Sequence, residues 1–318
     1  MPTMTVVLRE RPILKTFDIT PAGVRIRIRT NCESISKTLA SELVSLSNPA
    51  HIDLYISVMN ELEESTSVPY FRGLHHLVYM SFGASSFVID VLRKAVHATV
   101  TKDFAASAGH WRERIIPIIL GVLGPSVGLM PLHAACLLWR DRGILLAGAS
   151  GAGKSTLAVA LAKRGMLILS DDWTYIRKTD YGLACHGLNA PVKLLADASI
   201  HFCELEGLEP KISLNGELAY ELDPATTLQL HTTRECSPKE IVFLERTNGP
   251  ARLIPLSKWT VHRFFLENAE RLPSQLEHLE ETRLAVIAQL SQLPASTFHY
   301  SGTPQSGAEA LLRWMEGR

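Results

Sequence analysis

The chain has 318 residues, of which 46% are hydrophobic and 20% are charged, proportions that are ordinary for a packed globular protein. Its 32 basic and 32 acidic side chains cancel. This balance excludes the basic field that holds nucleic acid without sequence preference, and no polybasic run indicates an anionic membrane surface. We therefore expect neither nucleic acid nor a membrane as a partner.

The cysteine spacing and the apolar segments indicate the cellular compartment of the protein. None of the five cysteines stands in a Cys-x-x-Cys pair, so the spacing argues against a zinc site or a disulfide framework and favours a reducing environment. Residues 1–12 lack the apolar core of a signal peptide. The most apolar stretch, residues 115–132, is interrupted by prolines and glycines, which predicts a buried helix followed by a turn. We expect a cytoplasmic protein.

Residues 1–108 have the pattern of a small α+β domain. Residues 24–29 alternate apolar and basic side chains, which is the period of a strand with one face in water. Apolar residues at helical spacing over 34–46 precede further predicted strands. No chemical motif stands in this part of the chain. We hypothesise that the strand at residues 24–29 presents an edge to an extended peptide.

Residues 109–318 have the pattern of an α/β domain. A strand over residues 144–147, a glycine-rich loop, a helix over 154–164 and a strand over 166–169 follow one another. This order is typical of a βαβ unit, which binds its ligand at the carboxyl ends of its strands. The sequence thus predicts an α/β domain with a βαβ core behind the N-terminal domain.

The glycine-rich loop is the strongest motif of the chain. From Gly148 to Ser155 it fits the phosphate-binding pattern G-x-x-x-x-G-K-[ST], whose glycines let backbone N–H groups turn toward phosphate oxygens. The helix N-terminus adds its positive dipole end. We expect Lys154 to contact the β- and γ-phosphates and Ser155 to bind Mg²⁺. The predicted nucleotide-binding residues are Gly148, Ala149, Ser150, Gly151, Ala152, Gly153, Lys154, Ser155 and Thr156.

A pair of carboxylates follows the next predicted strand, in the run Ser170-Asp171-Asp172. Successive strand residues point to opposite faces, so one carboxylate can serve Mg²⁺ while the other accepts a hydroxyl proton. The alternative is that the run caps a turn, because serine and aspartate are favoured there.

His133 lies one predicted strand before the loop. A histidine beside an apolar strand is most often a hydrogen-bonded core residue. The alternative is that parallel neighbours in a sheet bring it close to the acidic pair, where it orients a carboxylate or shares its proton. The sequence leaves both open.

Taken together, these motifs resemble the catalytic domain of bacterial HPr kinase/phosphorylase. That family has a histidine on the strand before the P-loop strand, followed by the glycine-rich loop, a helix that ends in Lys-Arg-Gly and a strand that ends in Asp-Asp. Here these are His133, Gly148 to Ser155, the run Lys163-Arg164-Gly165, and Asp171-Asp172, with spacings that look like the family's, without a gap, over residues 133–172. The whole chain looks more like the divergent HPr-kinase-related proteins, relatives of which phosphorylate a serine of a lasso-peptide precursor. The resemblance thus implies a P-loop kinase core of the α/β class.

The resemblance implies an ATP- and Mg²⁺-dependent kinase acting on a serine or threonine hydroxyl of a peptide or protein. Asp171 would be the general base with support from His133, Lys154 would act on the phosphates, and Asp172 and Ser155 would lie nearer Mg²⁺. A homo-oligomer is left open. The family's downstream signature Leu-Glu-x-Arg-Gly-x-Gly is missing, and Asp197 is only a weak replacement for its glutamate.

Two other function classes remain open from the sequence. One is a nucleotide-binding regulatory module that transfers no phosphoryl group, and the other is a kinase for a small hydroxylated molecule. Fold kinship alone does not identify the acceptor.

Overall fold

The structure, a computed structural model, describes residues 13, 15–39, 51–59, 70–188, 190–213, 216–268 and 274–317. It is a mixed α/β fold with several sheets. The chain forms two compact units, one of residues 1–20 and 24–111, the other of residues 21–23 and 112–318. The sequence-based division into domains 1–108 and 109–318 stays a prediction.

The first unit contains a seven-stranded sheet in the order β1-β2-β3-β7-β6-β5-β4. Alternating side chains of β3, the third strand in this order, are buried, as the period of two requires of a strand packed on one face. In the described part of this unit, two short helices accompany the sheet. The elements are β1 (Lys15–Ile19), β2 (Ile26–Thr30), α1 (Ser34–Thr38), β3 (Ile52–Met59), β4 (Tyr70–Leu74), β5 (Leu77–Phe82), β6 (Ser85–Asp90), β7 (Ala95–Thr101) and α2 (Lys102–Ala106).

The hypothesis of a peptide-binding edge at residues 24–29 is wrong. The strand formed there, β2, lies inside the sheet, where it pairs antiparallel with β1 and parallel with β3. Both of its rows of backbone groups are therefore occupied, and no edge is left for an added strand. Of the predicted helix over 34–46, α1 covers the start, and residues 40–46 lie outside the described residues.

The second unit is built on a six-stranded sheet in the order β11-β9-β10-β18-β20-β19, in which β10, β18 and β20 run parallel. Smaller sheets of four and three strands, in the orders β17-β13-β12-β8 and β14-β16-β15, complete it. The strands are β8 (Leu129–His133), β9 (Ala135–Trp139), β10 (Arg142–Ala147), β11 (Leu167–Ser170), β12 (Trp173–Thr179), β13 (Gly182–His186), β14 (Val192–Leu195), β15 (Lys211–Ile212), β16 (Leu218–Leu222), β17 (Glu235–Cys236), β18 (Pro238–Arg246), β19 (Arg252–Pro255) and β20 (Ala295–Tyr300).

The helices of this unit agree in place with the apolar periodicity of the sequence. The buried helix predicted at the start of residues 115–132 is present as a regular helix over Ile116–Leu123, with Gly124 as its C-cap, and a π-helical turn at His110–Ile115 precedes it. Among the described residues, no helix is both long enough and apolar enough to cross a membrane. The helices are α3 (Ile116–Leu123), α4 (Lys154–Ala162), α5 (Lys258–Asn268), α6 (Glu280–Leu290) and α7 (Pro304–Glu316).

The predicted βαβ unit is present in a split form. Strands β10 and β11 both run antiparallel to β9, which separates them, so they are parallel to each other without being neighbours. Between them α4 buries Leu157 and Leu161 in one core with Leu146 of β10 and Leu311 of α7. This packing fixes the start of α4 at the carboxyl end of β10, where the glycine-rich loop lies.

Candidate active site

The glycine-rich loop connects the end of β10 to the start of α4, and its three glycines have left-handed φ angles. These are 139° at Gly148, 77° at Gly151 and 89° at Gly153. A Cβ atom at Gly148 would stand 3.0 Å from the main-chain oxygen of Leu244 on β18. The glycines are therefore required by backbone conformation, and at Gly148 also by the closeness of the next strand.

Lys154 is the first residue of α4, and its side chain turns back over this loop. Its Nζ donates hydrogen bonds to the carbonyl oxygens of Gly148 at 3.1 Å and Ala149 at 3.2 Å. Burial lowers the pKa of Lys154, and the charge of Asp172 opposes that shift. The ammonium group is thus held at the loop by main-chain oxygens.

Ser155 connects the loop to the acidic pair. Its Oγ donates a hydrogen bond of 3.2 Å to the main-chain oxygen of Asp171, the residue that follows β11. The second position of α4 and the end of β11 are therefore in direct contact. The loop motif and the Asp-Asp motif are thus adjacent in the structure.

The carboxyl group of Asp171 accepts a hydrogen bond of 2.9 Å at Oδ2 from the main-chain N–H of Lys193. Burial raises the pKa of Asp171 to about 7, and the charge of Asp172 adds to this, while the N–H of Lys193 acts in the opposite direction. A carboxyl group with such a pKa exchanges its proton near neutral pH. This is the property required of a general base.

Asp172 contacts His133, whose Nε2 lies 2.7 Å from Oδ1 of the carboxylate. Strands β8 and β12 pair antiparallel with His133 opposite Trp173, and the imidazole stacks on the indole with ring centroids 5.4 Å apart. Of the two sequence-based alternatives, the one that places His133 beside the acidic pair is the one observed.

The partner of His133 nevertheless differs from the one expected. The resemblance placed His133 with Asp171, whereas the imidazole contacts Asp172. Consecutive residues at a strand end point in different directions, so one imidazole cannot serve both carboxylates equally. The contact also arises from an antiparallel pair in the four-stranded sheet, not from parallel neighbours around β10.

The turn-cap interpretation accounts for only one residue of the run. Ser170 makes a local contact, with its Oγ 2.6 Å from Oγ1 of Thr174. The two carboxylates instead make contacts far away in sequence, to Lys193 and to His133. The acidic pair is therefore more than a local turn.

A cavity of about 730 Å³ lies beside the acidic pair. Both carboxylates line it, together with residues from the start of the second unit and from the segment around β14. None of the loop residues 148–155 is among its lining residues. Asp171 thus stands between the loop, which its main chain contacts, and the cavity, which it lines.

Sequence reasoning missed the other charged residues of this cavity. Glu113 and Glu221 line it side by side, and burial, the charge of Glu221 and a hydrogen bond between the two carboxyl groups raise the pKa of Glu113 to about 7. Arg112 and Arg234 also line the wall. These residues stand in no motif and come together only through folding, so the sequence carried no signal for them.

Lys193 and Asp197 also have clear positions. The Nζ of Lys193 pairs with Oε2 of Glu217 at 2.6 Å. Its main-chain N–H bonds the carboxyl group of Asp171, and its charge also lowers the pKa of Asp171. Asp197 is exposed on a 3₁₀ turn at Ala196–Ile200, where it makes a poor replacement for a metal-side glutamate.

The residues present fit a nucleoside triphosphate with Mg²⁺. The left-handed glycines keep side chains out of the loop, and Lys154 and the α4 N-terminus supply positive charge beside it. The hydroxyl of Ser155 and the half-exposed carboxylate of Asp172 are oxygen donors, which Mg²⁺ prefers.

Neither a protein-family model nor a curated protein matches this sequence. Among solved structures, the fold is similar to the Hpr(Ser) kinase/phosphatase from Coxiella burnetii, with 12% sequence identity over 59% of this chain and 95% of that one. The TM-score of 0.30 is too low for the match to carry weight, so the functional argument rests on this chain's own residues.

Proposed function

We propose that this chain is an ATP- and Mg²⁺-dependent kinase that transfers the γ-phosphoryl group to a serine or threonine hydroxyl of a peptide or protein. The contact between Ser155 Oγ and the main-chain oxygen of Asp171 carries the proposal. It joins a phosphate-binding loop to a carboxyl group whose pKa is about 7 and which lines a cavity. A protein that only binds nucleotide has no use for such a group.

Each residue has a role in this proposal. When MgATP is bound, ATP supplies the phosphoryl group and Mg²⁺ neutralises part of the charge on its phosphates. The loop and Lys154 hold the phosphates, while Ser155 and Asp172 are the candidate Mg²⁺ donors. His133 is a positioning residue that orients the carboxylate of Asp172. Asp171 accepts the proton of the acceptor hydroxyl from the cavity side.

The first candidate acceptor is a hydroxyl-bearing side chain of a peptide or protein. The motif resemblance supports it, since the HPr-kinase-related proteins that the chain resembles include some that phosphorylate a serine of a precursor peptide. In this view the acceptor side chain enters the cavity and places its hydroxyl at Asp171.

A small hydroxylated molecule is the second candidate acceptor. The cavity volume of about 730 Å³ favours it, because clefts of roughly 300–1,000 Å³ are typical of small-molecule sites. Mixed charges along the wall, from Glu113, Glu221 and Arg234, would suit a polar ligand.

The proposal is tested by phosphoryl transfer with the Asp171→Asn variant. We expect transfer to fall on the order of 10²–10⁴-fold, which is the usual contribution of a general base, while nucleotide affinity stays nearly unchanged. Asp180→Asn, at an exposed turn after β12, is the matched control. Transfer that survives in Asp171→Asn would show that the base is assigned wrongly.

The acceptor is identified by mass spectrometry after incubation with ATP and Mg²⁺. Candidate precursor peptides and their Ser→Ala versions are compared with pools of small alcohols. Phosphate on a peptide serine supports the first candidate, and phosphate on a small molecule supports the second. Nucleotide binding without transfer to any acceptor, in the wild type as in Asp171→Asn, would favour a regulatory module.

A further inference from the structure

Three of the five cysteines meet in the core of the second unit. The sulfur atoms of Cys136, Cys185 and Cys236 all lie within 4.8 Å of one another, and all three residues are buried. The Sγ atoms of Cys136 and Cys236 are 3.5 Å apart. The other two cysteines, Cys32 and Cys203, are outside this cluster.

The topology explains how distant cysteines converge. Cys185 on β13 and Cys236 on β17 are opposite each other in an antiparallel pair of the four-stranded sheet. Cys136 comes from β9 of the six-stranded sheet. A Cβ at Gly143 would stand 2.8 Å from the sulfur of Cys236, so a glycine on β10 leaves room for that thiol.

The spacing of the sulfur atoms suits one metal ion. Thiolates bind Zn²⁺ at about 2.3 Å, which puts the sulfurs of a shared ion roughly 3.8–4.0 Å apart. The sulfur–sulfur distances of the cluster include 3.5 Å and do not exceed 4.8 Å, a range that contains this separation. The hydrophobic core around the cluster contains Leu145, Ile176 and Phe243, while the imidazole of His186 interacts electrostatically with Cys236 without joining the group of sulfur atoms.

We propose that Cys136, Cys185 and Cys236 form a site for one thiophilic d¹⁰ metal ion of the Cu⁺ or Zn²⁺ class. Each metal–sulfur bond replaces an S–H bond where the thiol is protonated, and that proton leaves to solvent. In the described part of the chain no fourth cysteine, histidine or carboxylate joins the group. Three thiolates without a fourth ligand favour Cu⁺ over Zn²⁺, which prefers four.

The bound ion would connect the two sheets next to the acidic pair. Cys136 is the register partner of Ser170, which directly precedes Asp171, while Cys185 and Cys236 belong to the sheet that contains β12. Binding to the folded state alone stabilises it in proportion to ligand concentration over Kd. This inference does not depend on the proposed kinase activity.

The test uses the reduced full-length protein under anaerobic conditions, titrated separately with Cu⁺ and Zn²⁺. We expect one equivalent of tightly bound ion, thiolate charge-transfer absorption in the ultraviolet for Cu⁺, and a higher midpoint of thermal unfolding. Cys136→Ala, Cys185→Ala and Cys236→Ala should each weaken binding on the order of 100-fold. Cys32→Ala and Cys203→Ala should leave it unchanged.

A second measurement needs no variant, which protects the test against a variant that fails to fold. In the wild type, bound metal should slow alkylation of the three cluster cysteines, mapped by mass spectrometry, and leave Cys32 and Cys203 unaffected. The proposal is overturned if the folded wild type binds no stoichiometric ion, if binding survives in the cluster variants, or if metal protects the other two cysteines instead.

Discussion

The Nε2 atom of His133 lies 2.7 Å from Oδ1 of Asp172, across the antiparallel pair of β8 and β12. The imidazole also stacks on Trp173, which limits its rotation. His133 therefore holds one carboxylate of the acidic pair in place and leaves the other, Asp171, to the main chain of Lys193. The two aspartates thus have different surroundings and are suited to different tasks.

His133→Asn should raise the Mg²⁺ concentration that gives half-maximal transfer, by about 10-fold or more. The reason is that a partner which orients a metal-binding carboxylate typically contributes 10–100-fold to metal affinity. The measurement is transfer rate against Mg²⁺ concentration at saturating ATP. His278→Asn, at an exposed position, is the control. An unchanged Mg²⁺ dependence with a lower rate would contradict an orienting role.

Transfer should depend on pH through Asp171. Burial raises its pKa from the usual 3.8 to about 7, so the base is protonated and inactive in acid. We expect kcat/KM to fall about tenfold per pH unit below pH 7 and to level off above it. Glu113 lines the same cavity with a pKa of about 7, so Glu113→Gln is the control that should keep the profile. A flat profile between pH 5 and 8 would rule out Asp171 as the base.

The same pKa makes a prediction about stability. Between about pH 4 and pH 7 the folded state keeps a proton on Asp171 that the unfolded state releases. The free energy of unfolding should therefore decrease as pH rises through this window. Asp171→Asn cannot ionise, so its stability relative to the wild type should increase with pH. Denaturant unfolding of both proteins at pH 5 and pH 8 measures this. The same difference in unfolding free energy between variant and wild type at both pH values would contradict the prediction.

Lys154→Met should weaken nucleotide binding as well as transfer. The variant loses the positive charge at the loop and the hydrogen bonds to the carbonyl oxygens of Gly148 and Ala149. A hydrogen bond from the ammonium group to a phosphate oxygen involves charged groups and contributes about 1.5–3 kcal/mol, so its loss should lower nucleotide affinity about 10- to 150-fold. Titration with a fluorescent nucleotide measures it, with Lys178→Met at an exposed position as control. Unchanged affinity would argue against a phosphate-binding loop.

Gly148→Ala should destabilise the protein more than Gly151→Ala. Both positions have left-handed φ angles, which cost a non-glycine residue about 1–2 kcal/mol. At Gly148 the added Cβ also meets the main chain of Leu244 at 3.0 Å, whereas no atom lies within 4 Å of it at Gly151. The free energy of unfolding in denaturant compares the two. Equal losses of unfolding free energy in the two variants would mean that β18 shifts easily to make room for the added Cβ.

Local features of the molecule could be predicted from the sequence. The loop from Gly148 to Ser155 needs glycines, a lysine and a helix start at fixed spacing, and these lie within one short segment. The strands and helices around it were predicted close to their observed bounds, because apolar periodicity reports which face of an element is buried. The acidic pair was found because it follows the next strand directly.

Only the tertiary structure decided which partner each of these residues has. His133 contacts Asp172 and not Asp171, β2 is an inner strand and not an edge, and β9 separates the two strands of the βαβ unit. Cysteine spacing argued against a thiol site, yet the fold brings Cys136, Cys185 and Cys236 together. Contacts between strands and between sheets bring together residues that are far apart in the chain. The free energy that selects these contacts comes from burial summed over the whole core, so no local sequence pattern predicts them.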